Sequence, residues 1–574
     1  MKPMSAADTY PLTAAQRDIW LDQMSRGESP LYNIGGYVEL HGPIDPVVLH
    51  QALERLVADH DALRTVLLPG AGADGLPLQR FAATLPVAMP LHDVSTRPDP
   101  LAAAHTLMRT QMQQLHAFDG SPLYRFCLVR LADDRHWLGT QAHHLILDGW
   151  GFGQMLKALG EIYSALVAGQ APPSRASSYT EFVQDDTRYQ ASARHGRDRS
   201  YWLHKYQSLP EPLLASRYHY RRASDQAPAC SAVLAFPSAL HERMAQFAAQ
   251  HQASAFHVLL AALHVYFSRT AQREDWVVGL PLLNRGGARF KSTLGLFAQV
   301  SAMRLDFARE TGFAELVRGV RDQLKRDFRH QRFALSELNR ALGLLREERG
   351  QLFEVSVSYE QDDHDYRYGD ALAHTVKVSN GHEHTPLAIH LRSNRFDGKA
   401  WLHLVCHRAW FDQREIEALG EHVLHLLEQG LENPDLAVGG FDLLTPGEAR
   451  QLDQWNPGEA APTAPQLIHQ RIEQQVRARP DDVAAVHEGR SLTYDALNTQ
   501  ANALAHRLIA LGVRPDTRVA VVARRGLDTL AGLLAVLKAG AAYVPIDPAH
   551  PRERLEYLIG DSAPVALLTQ SELT

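Results

Sequence analysis

Gln141-Ala142-His143-His144-Leu145-Ile146-Leu147-Asp148-Gly149-Trp150-Gly151 decides how the rest of the chain is read. Two imidazoles stand at the end of an alternating apolar run. A carboxylate follows four residues after the second, with a glycine directly behind it. Upstream, Tyr124 to Leu131 alternates as a strand does, Asp133-Asp134 reads as a turn, and Trp137 to His143 reads as the returning strand. Downstream, Met155, Leu159, Ile162, Tyr163 and Leu166 recur at helical spacing, and Gly169 suits the helix end. The histidine pair therefore falls in a strand-to-helix loop, where a rigid scaffold can present side chains to a cleft.

Working outward, Asp45-Pro46 reads as an N-cap with proline at the first helical position, and Leu49, Leu53, Leu56 and Val57 make 46–58 an amphipathic helix. The stretch 171–178, Ala-Pro-Pro-Ser-Arg-Ala-Ser-Ser, reads as a crossover between lobes, and 456–465, Asn-Pro-Gly-Glu-Ala-Ala-Pro-Thr-Ala-Pro, as a linker. The alternation of strands and helices predicts an α/β fold. At 574 residues the chain exceeds a single core.

Composition excludes several classes. With 45% apolar and 21% charged residues the chain resembles an ordinary globular protein. A net charge of −7 leaves no basic footprint for nucleic acid or an anionic membrane. The longest apolar stretch, near 527–546, is broken by Lys538, Gly540 and Pro545, which argues against a membrane span. The N-terminus lacks an apolar export region. Cys127, Cys230 and Cys406 lie far apart in sequence, so no disulfide framework is expected, and a reducing cytoplasm is. Gly149, Gly151 and Gly153 form GxGxG rather than a dinucleotide fingerprint. His382, Glu383, His384 and His390 are read as surface residues, with His382 and His384 on one strand face, rather than as a metal site; no metal is expected.

The opening motif suits acyl transfer. An amine attacking a thioester must lose a proton, and the tetrahedral intermediate carries negative charge that a donor can steady. A neutral imidazole can do either near pH 7. His144 is the candidate because it holds the HxxxDG spacing. Asp148 is expected to fix the loop through a buried ion pair, and Gly149 to permit a tight turn or close approach of a ligand. The plain alternative is a pair of packed loop histidines among the 30 in the chain.

With these residues the chain resembles the condensation domains of non-ribosomal peptide synthetases, whose core motif is HHxxxDG. Leu12-Thr13-Ala14-Ala15-Gln16-Arg17-Asp18-Ile19-Trp20 is similar to the family's first motif, and His60-Asp61-Ala62-Leu63-Arg64-Thr65 to its second. Tyr179-Thr180-Glu181-Phe182, Leu294-Gly295-Leu296-Phe297 and His330-Gln331-Arg332-Phe333 resemble the fourth, fifth and sixth. The resemblance implies two chloramphenicol-acetyltransferase-like lobes in a V-shaped pseudo-dimer, with a tunnel between them. It implies a condensation N-lobe over 1–175, a C-lobe over 176–440 and a linker over 441–466. It makes His144 the catalytic histidine and His143, Asp148 and Gly149 structural, with Arg285 as the aspartate's partner. Trp150, Gln299 and Tyr359 are candidates to line the tunnel.

Two departures from the family pattern bear on the acyl donor. Phe297 is followed by Ala298-Gln299-Val300 instead of an asparagine, and Phe333 by Ala334-Leu335-Ser336-Glu337 without the usual proline and acid. Together with Leu352-Phe353-Glu354-Val355-Ser356-Val357-Ser358-Tyr359-Glu360 they resemble the starter subgroup, which acylates the first amino acid from acyl-CoA. The motif series begins at residue 11, and no upstream carrier or docking segment is expected. The partners implied are a downstream peptidyl carrier domain bearing an aminoacyl thioester on its phosphopantetheine arm, and the rest of an adenylation domain. No permanently bound cofactor is implied. Further on, Leu492-Thr493-Tyr494-Asp495-Ala496-Leu497 and Leu537-Lys538-Ala539-Gly540-Ala541-Ala542-Tyr543-Val544-Pro545-Ile546-Asp547 resemble the first two adenylation motifs. Residues 467–574 thus resemble a truncated N-terminal adenylation fragment, without the phosphate loop needed to activate an amino acid. An elongating condensation domain is the nearest alternative, and a catalytically silent recruitment domain the non-enzymatic one. Epimerisation does not fit the order of domains. Cyclisation would place aspartates where His143 and His144 stand.

Overall fold

The computed structural model describes residues 9–72, 75–173, 178–214, 229–347, 349–362, 366–394, 398–456 and 466–573. It contains two compact units, 1–452 and 453–574.

The first unit is built on two six-stranded sheets. In one, the order is Tyr366–Tyr368, Ala371–Lys377, Asn33–His41, Arg135–His143, Tyr124–Ala132, Leu91–Asp93. In the other it is Gln299–Asp306, Asp275–Leu282, Val355–Asp362, Leu387–Asn394, Ala400–His407, Ala229–Phe236. The hairpin expected around Asp133-Asp134 is present, with Tyr124 opposite Ala142 and Phe126 opposite Thr140. Helix Pro46–Asp59 starts where Asp45 caps it, accepting from the Val47 and Val48 amides, and buries Leu49, Leu53, Leu56 and Val57. Those four residues sit in one core with Leu145, Ile146, Leu147, Leu156 and Leu159 from the motif loop and the helix after it. The second sheet has its own core, in which Leu259, Leu263, Trp276, Val320, Ile389 and Leu427 are fully enclosed. Apolar faces at strand and helix spacing are covered sheet by sheet, which is what makes two lobes.

The boundary expected at 175 is crossed. Ala371–Lys377, from the second half of the sequence, pairs antiparallel with Asn33–His41 in the first lobe's sheet, Thr375 opposite Val38. Residue-by-residue polarity carries no information on which sheet's edge a strand will complete, so this exchange was not foreseen. Part of the crossover read over 171–178 lies outside the described residues. The linker read over 441–466 is ordered at its start: Gln429 exchanges hydrogen bonds with Asp442, His422 meets Glu448, and helix Pro446–Trp455 follows. Most of the proline-rich stretch 456–465 lies outside the described residues.

The cysteine expectation needs correcting. Cys230 and Cys406 are direct partners across antiparallel strands, with Cα atoms 5.3 Å apart, and form a disulfide. A sequence separation of 176 hid this, because register rather than spacing brought them together. Cys127 stays free, and burial pushes its thiol up to about 11. His382 and His384 lie in a loop rather than on a strand face. The His382 Nδ1 meets the Asn380 carbonyl, Arg26 reaches His384, and His390 pairs with Ser358.

The second unit holds a three-stranded parallel sheet, Ala542–Ile546, Arg518–Val522 and Ala566–Thr569 in that order, and a hairpin of Val483–His487 with Arg490–Thr493. Helices Tyr494–Ala510 and Leu527–Lys538 contribute Leu497, Ala501, Ala535 and Val536 to its core. Among the described residues no helix is long and apolar enough to cross a membrane.

Buried neutral histidines set the acid behaviour of the first unit. His264 accepts from the Trp276 indole at Nδ1 and meets the Phe307 carbonyl at Nε2, an arrangement only the neutral ring satisfies. Burial brings its pKa down to about 4, that of His403 to about 4 and that of His116 to about 3. Below pH 6.5 the unfolded chain takes up protons these rings refuse in the fold, so stability falls with pH from 6.5 towards 4. Asp18, which burial lifts to about 6, acts in the opposite sense, as do Asp186, Glu354 and Glu383, which burial also raises, but the histidines that burial lowers, His136, His143, His144, His241 and His257 among them, outnumber these carboxyls. The thermal midpoint of the first unit should therefore drop steadily between pH 6.5 and 4 in a denaturation series; a flat midpoint would contradict the neutral assignments.

Candidate active site

Strand Arg135–His143 ends with His143 opposite Asn33 in the sheet. The backbone then folds tightly: the Ile146 amide donates to the His143 carbonyl at 3.1 Å and Leu147 to the His144 carbonyl at 3.3 Å. Leu145, Ile146 and Leu147 are fully buried, so three apolar anchors pin the turn. Asp148 then caps helix Gly149–Val167, accepting from the Gly151 amide at 2.6 Å.

The Asp148 carboxylate does more than cap. Its Oδ1 also accepts from Arg285 Nη2 at 2.8 Å, and its Oδ2 accepts from the Phe297 and Ala298 amides at 2.9 and 3.1 Å. A carboxylate offers about four acceptor directions, and four donors fill them. The Asp148 amide in turn donates to the Gly295 carbonyl at 3.2 Å. Arg285 is committed through its two Nη nitrogens, while its buried Nε makes no hydrogen bond among the described residues. Its Nη1 donates to the Phe290 and Thr293 carbonyls at 2.8 and 2.6 Å, and its guanidinium lies 4.0 Å from the centre of the Phe297 ring. Both side chains are almost wholly buried, 1% and 3% exposed. The motif loop of the first lobe is thereby locked to residues 285–298, which lead into the second lobe's strand Gln299–Asp306.

That segment is anchored in turn. Gly295 has φ +152°, and a Cβ there would fall 2.1 Å from the Tyr179 ring. Tyr179 donates its hydroxyl to the Leu296 carbonyl at 2.8 Å. The start of its helix is held by Asp61, which accepts from the Tyr179 and Thr180 amides at 2.9 and 3.2 Å and from the Ser178 hydroxyl. The second, fourth and fifth motif segments thus meet behind Asp148.

His144 keeps some accessible surface while its Nδ1 is enclosed and makes no hydrogen bond among the described residues. Burial lowers its pKa, partly offset by the nearby Asp148 charge, so the ring is neutral at pH 7. Its amide donates to the Tyr32 carbonyl at 2.7 Å. His143 faces the other way, into the lobe. Its Nδ1 accepts from the Leu145 amide at 3.1 Å, and desolvation, with His116 and His144 beside it, holds its pKa well below the usual value. Gly149 is exposed, and a Cβ there would meet nothing within 4 Å.

The tunnel candidates are dispersed. Trp150 is 41% exposed and donates its indole to the Lys291 carbonyl at 2.8 Å, so it ties the helix start to the 285–298 segment from outside. Gln299 opens its strand with a buried Oε1 that makes no hydrogen bond among the described residues. Tyr359 is half-buried, with its hydroxyl 3.3 Å from that of Ser393.

Sequence reading missed the residues that hold the loop from behind. Gln16 donates to the Leu145 carbonyl and exchanges hydrogen bonds with Gln79. Asn380 donates to the Leu31 and Asn33 carbonyls, on either side of Tyr32. Gln16 stands in the first motif, so the sequence carries a signal for it. Nothing near Asn380 carries one.

Removing one partner of a buried ion pair strands the other, at a cost of about 3–5 kcal/mol. Asp148→Asn should lower stability by that order, because an amide turns a donor towards the Phe297 and Ala298 amides or towards Arg285. Arg285→Lys should lose less, since it keeps the charge but not the bonds to Phe290 and Thr293. Urea midpoints with circular dichroism test the ranking; an Asp148→Asn protein as stable as its parent would refute the lock.

Comparison with known proteins agrees with this geometry. Residues 6–453 match the condensation domain family, and 472–574 match the AMP-binding enzyme family. Tyrocidine synthase 3 of Brevibacillus parabrevis is 31% identical over 579 aligned residues covering 100% of this chain, and the dimodular nonribosomal peptide synthase of Bacillus subtilis is 28% identical over 98% of it. The chain spans only 9% and 23% of the lengths of these relatives. Among solved structures, a point mutant of the starter condensation domain of rhizomide synthetase, in complex with C8-CoA, superposes with a TM-score of 0.68 at 26% identity, covering 76% of this chain and 98% of that one. The first condensation domain of the calcium-dependent antibiotic synthetase gives 0.66 at 26% identity, covering 76% and 100%. The chain belongs to the condensation-domain family of non-ribosomal peptide synthetases, enzymes that form amide bonds, and continues into part of an AMP-binding enzyme domain.

Proposed function

We propose that this is a starter condensation domain, which transfers an acyl group from acyl-CoA to the amine of an aminoacyl-S-carrier protein and so begins an N-acyl peptide or lipopeptide. The observation that carries the donor assignment is the likeness, over nearly the whole condensation unit, to a starter domain solved with C8-CoA. The altered residues after Phe297 and Phe333 support it. Use of acyl-CoA also favours the cytoplasm as the place of action. The acceptor is the thioester on the phosphopantetheine arm of a downstream carrier domain, with the remaining adenylation region supplying its amino acid.

In this reading the amine nitrogen attacks the acyl thioester carbonyl, the tetrahedral oxyanion collapses, the C–S bond breaks and the amide C–N bond remains. The proton lost by the amine goes to the neutral His144 and returns to the departing CoA thiolate. With Nδ1 enclosed, Nε2 is the nitrogen left to face the substrates. His143, Asp148 and Arg285 hold the loop, and Gly149 leaves room beside it. Trp150, Gln299 and Tyr359 stay candidates for the acyl path.

Intact mass of an aminoacyl-loaded carrier incubated with a panel of acyl-CoAs tests the donor. The expected result is a mass gain equal to the acyl group. If acyl-CoAs add nothing while a peptidyl-S-carrier donor does react, the domain is an elongating one. His144→Ala should lower the rate by about 10²–10⁴-fold if the ring moves the proton; an unchanged rate would remove it from the chemistry. Because the folded pKa of His144 is lowered, the active neutral form persists as pH falls, so kcat should hold from pH 8 to 6.5 and decline only in more acid solution. A decline centred above pH 6.5 would contradict this.

A further inference from the structure

The side chain of Gln23 points into the lobe from helix Ala14–Arg26 and lies against His143. Its Nε2 donates to the Gly27 carbonyl at 2.8 Å and the Ser29 carbonyl at 3.3 Å, which uses both amide hydrogens and fixes which way the amide is turned. The Oε1 is left facing His143 Nε2 at 3.4 Å. On the far side of that ring, Nδ1 takes the Leu145 N–H. An imidazole accepting at Nδ1 must carry its proton at Nε2. Both residues are buried, 6% and 3% exposed, so no solvent substitutes for either bond.

We propose that Gln23 is a positioning residue: its carbonyl oxygen fixes His143 in the Nε2–H form, leaving Nδ1 to hold the Leu145 amide and with it the loop that carries His144. The other groups facing His143 cannot do this. The ring of Tyr32 is 6.1 Å away, that of His116 6.0 Å and that of Phe118 5.2 Å, all measured between centroids. Behind them, Arg125 approaches His116 and Asp22 accepts from the Tyr32 hydroxyl. His144 is adjacent and neutral. None of the residues named against the ring puts an acceptor on Nε2 except Gln23.

The inference rests on the reading of His144 as the reacting histidine, and two variants separate them. Gln23→Glu places a carboxylate on Nε2 and favours the doubly protonated ring, whose Nδ1–H then opposes the Leu145 N–H. The carboxylate also loses the donors to the Gly27 and Ser29 carbonyls, so kcat should be lower than the parent's at every pH, and it should fall about a further tenfold between pH 8.5 and 6.5, the worth of one hydrogen bond, while the parent holds. Gln23→Met should lose about tenfold in kcat at every pH, with the KM for acyl-CoA little changed. Hydrogen exchange of the peptide spanning 144–148, compared with the parent at the same pH, gives a readout without turnover: the excess exchange of Gln23→Glu over the parent should grow as the pH falls from 8.5 to 6. A Gln23→Glu protein that tracks its parent in rate and exchange from pH 6 to 8.5 overturns the proposal, as does a Gln23→Met protein that is less stable but keeps its kcat. If the parent turns over neither acyl-CoA nor peptidyl donor, the reading of His144 fails, and the exchange comparison still decides the role of Gln23.

Discussion

The saturated carboxylate of Asp148 is the interaction on which the site depends. It takes donors from its own helix start, from Arg285 and from two consecutive amides at Phe297 and Ala298. A buried charge is tolerable only when every acceptor direction is answered. That demand is also a geometric one. Because the donors come from both lobes' segments, satisfying the carboxylate fixes the motif loop against the 285–298 segment. The same residue that begins the helix therefore sets where His144, four residues earlier, must stand: among the described residues the enclosed His144 Nδ1 makes no hydrogen bond, and the ring is placed by its neighbours.

His144 is placed through backbone contacts. Tyr32 takes its amide, and Asn380 brackets Tyr32 from both sides. Gln16 takes the Leu145 carbonyl, and His143 takes the Leu145 amide. In the role proposed for His144, a general base must be poised without being consumed by hydrogen bonds of its own, and a ring whose enclosed Nδ1 has no partner among the described residues meets that condition. Burial supplies the second requirement, a neutral imidazole at the working pH. Under that proposal, preorganisation resides in the frame that holds the loop.

Much of this was legible in the sequence. The strand, turn and helix around the motif follow from periods of 2 and 3.6 and from Asp148 standing at an N-cap position, all of them local properties. The choice of Arg285 as a partner for Asp148 came from family resemblance, and the structure puts the two 2.8 Å apart. Other features were not legible. Strand Ala371–Lys377 completes the sheet of the other lobe, Cys230 meets Cys406, and His382 and His384 sit in a loop. Trp150 is a surface tie whose indole reaches Lys291, a contact that depends on where a segment 141 residues away returns.

The sequence by itself determined the α/β class, the strand–loop–helix that carries His144 and the acyl-transfer chemistry open to it, because side-chain period, capping and imidazole chemistry are properties of neighbouring residues. Tertiary structure alone decided which distant groups fill the Asp148 carboxylate, which nitrogen of His143 is protonated and which strand closes each sheet. Those outcomes depend on register and on the pairing of buried polar groups between segments more than a hundred residues apart, and a carboxylate or imidazole selects its partner only once burial has removed water as an alternative.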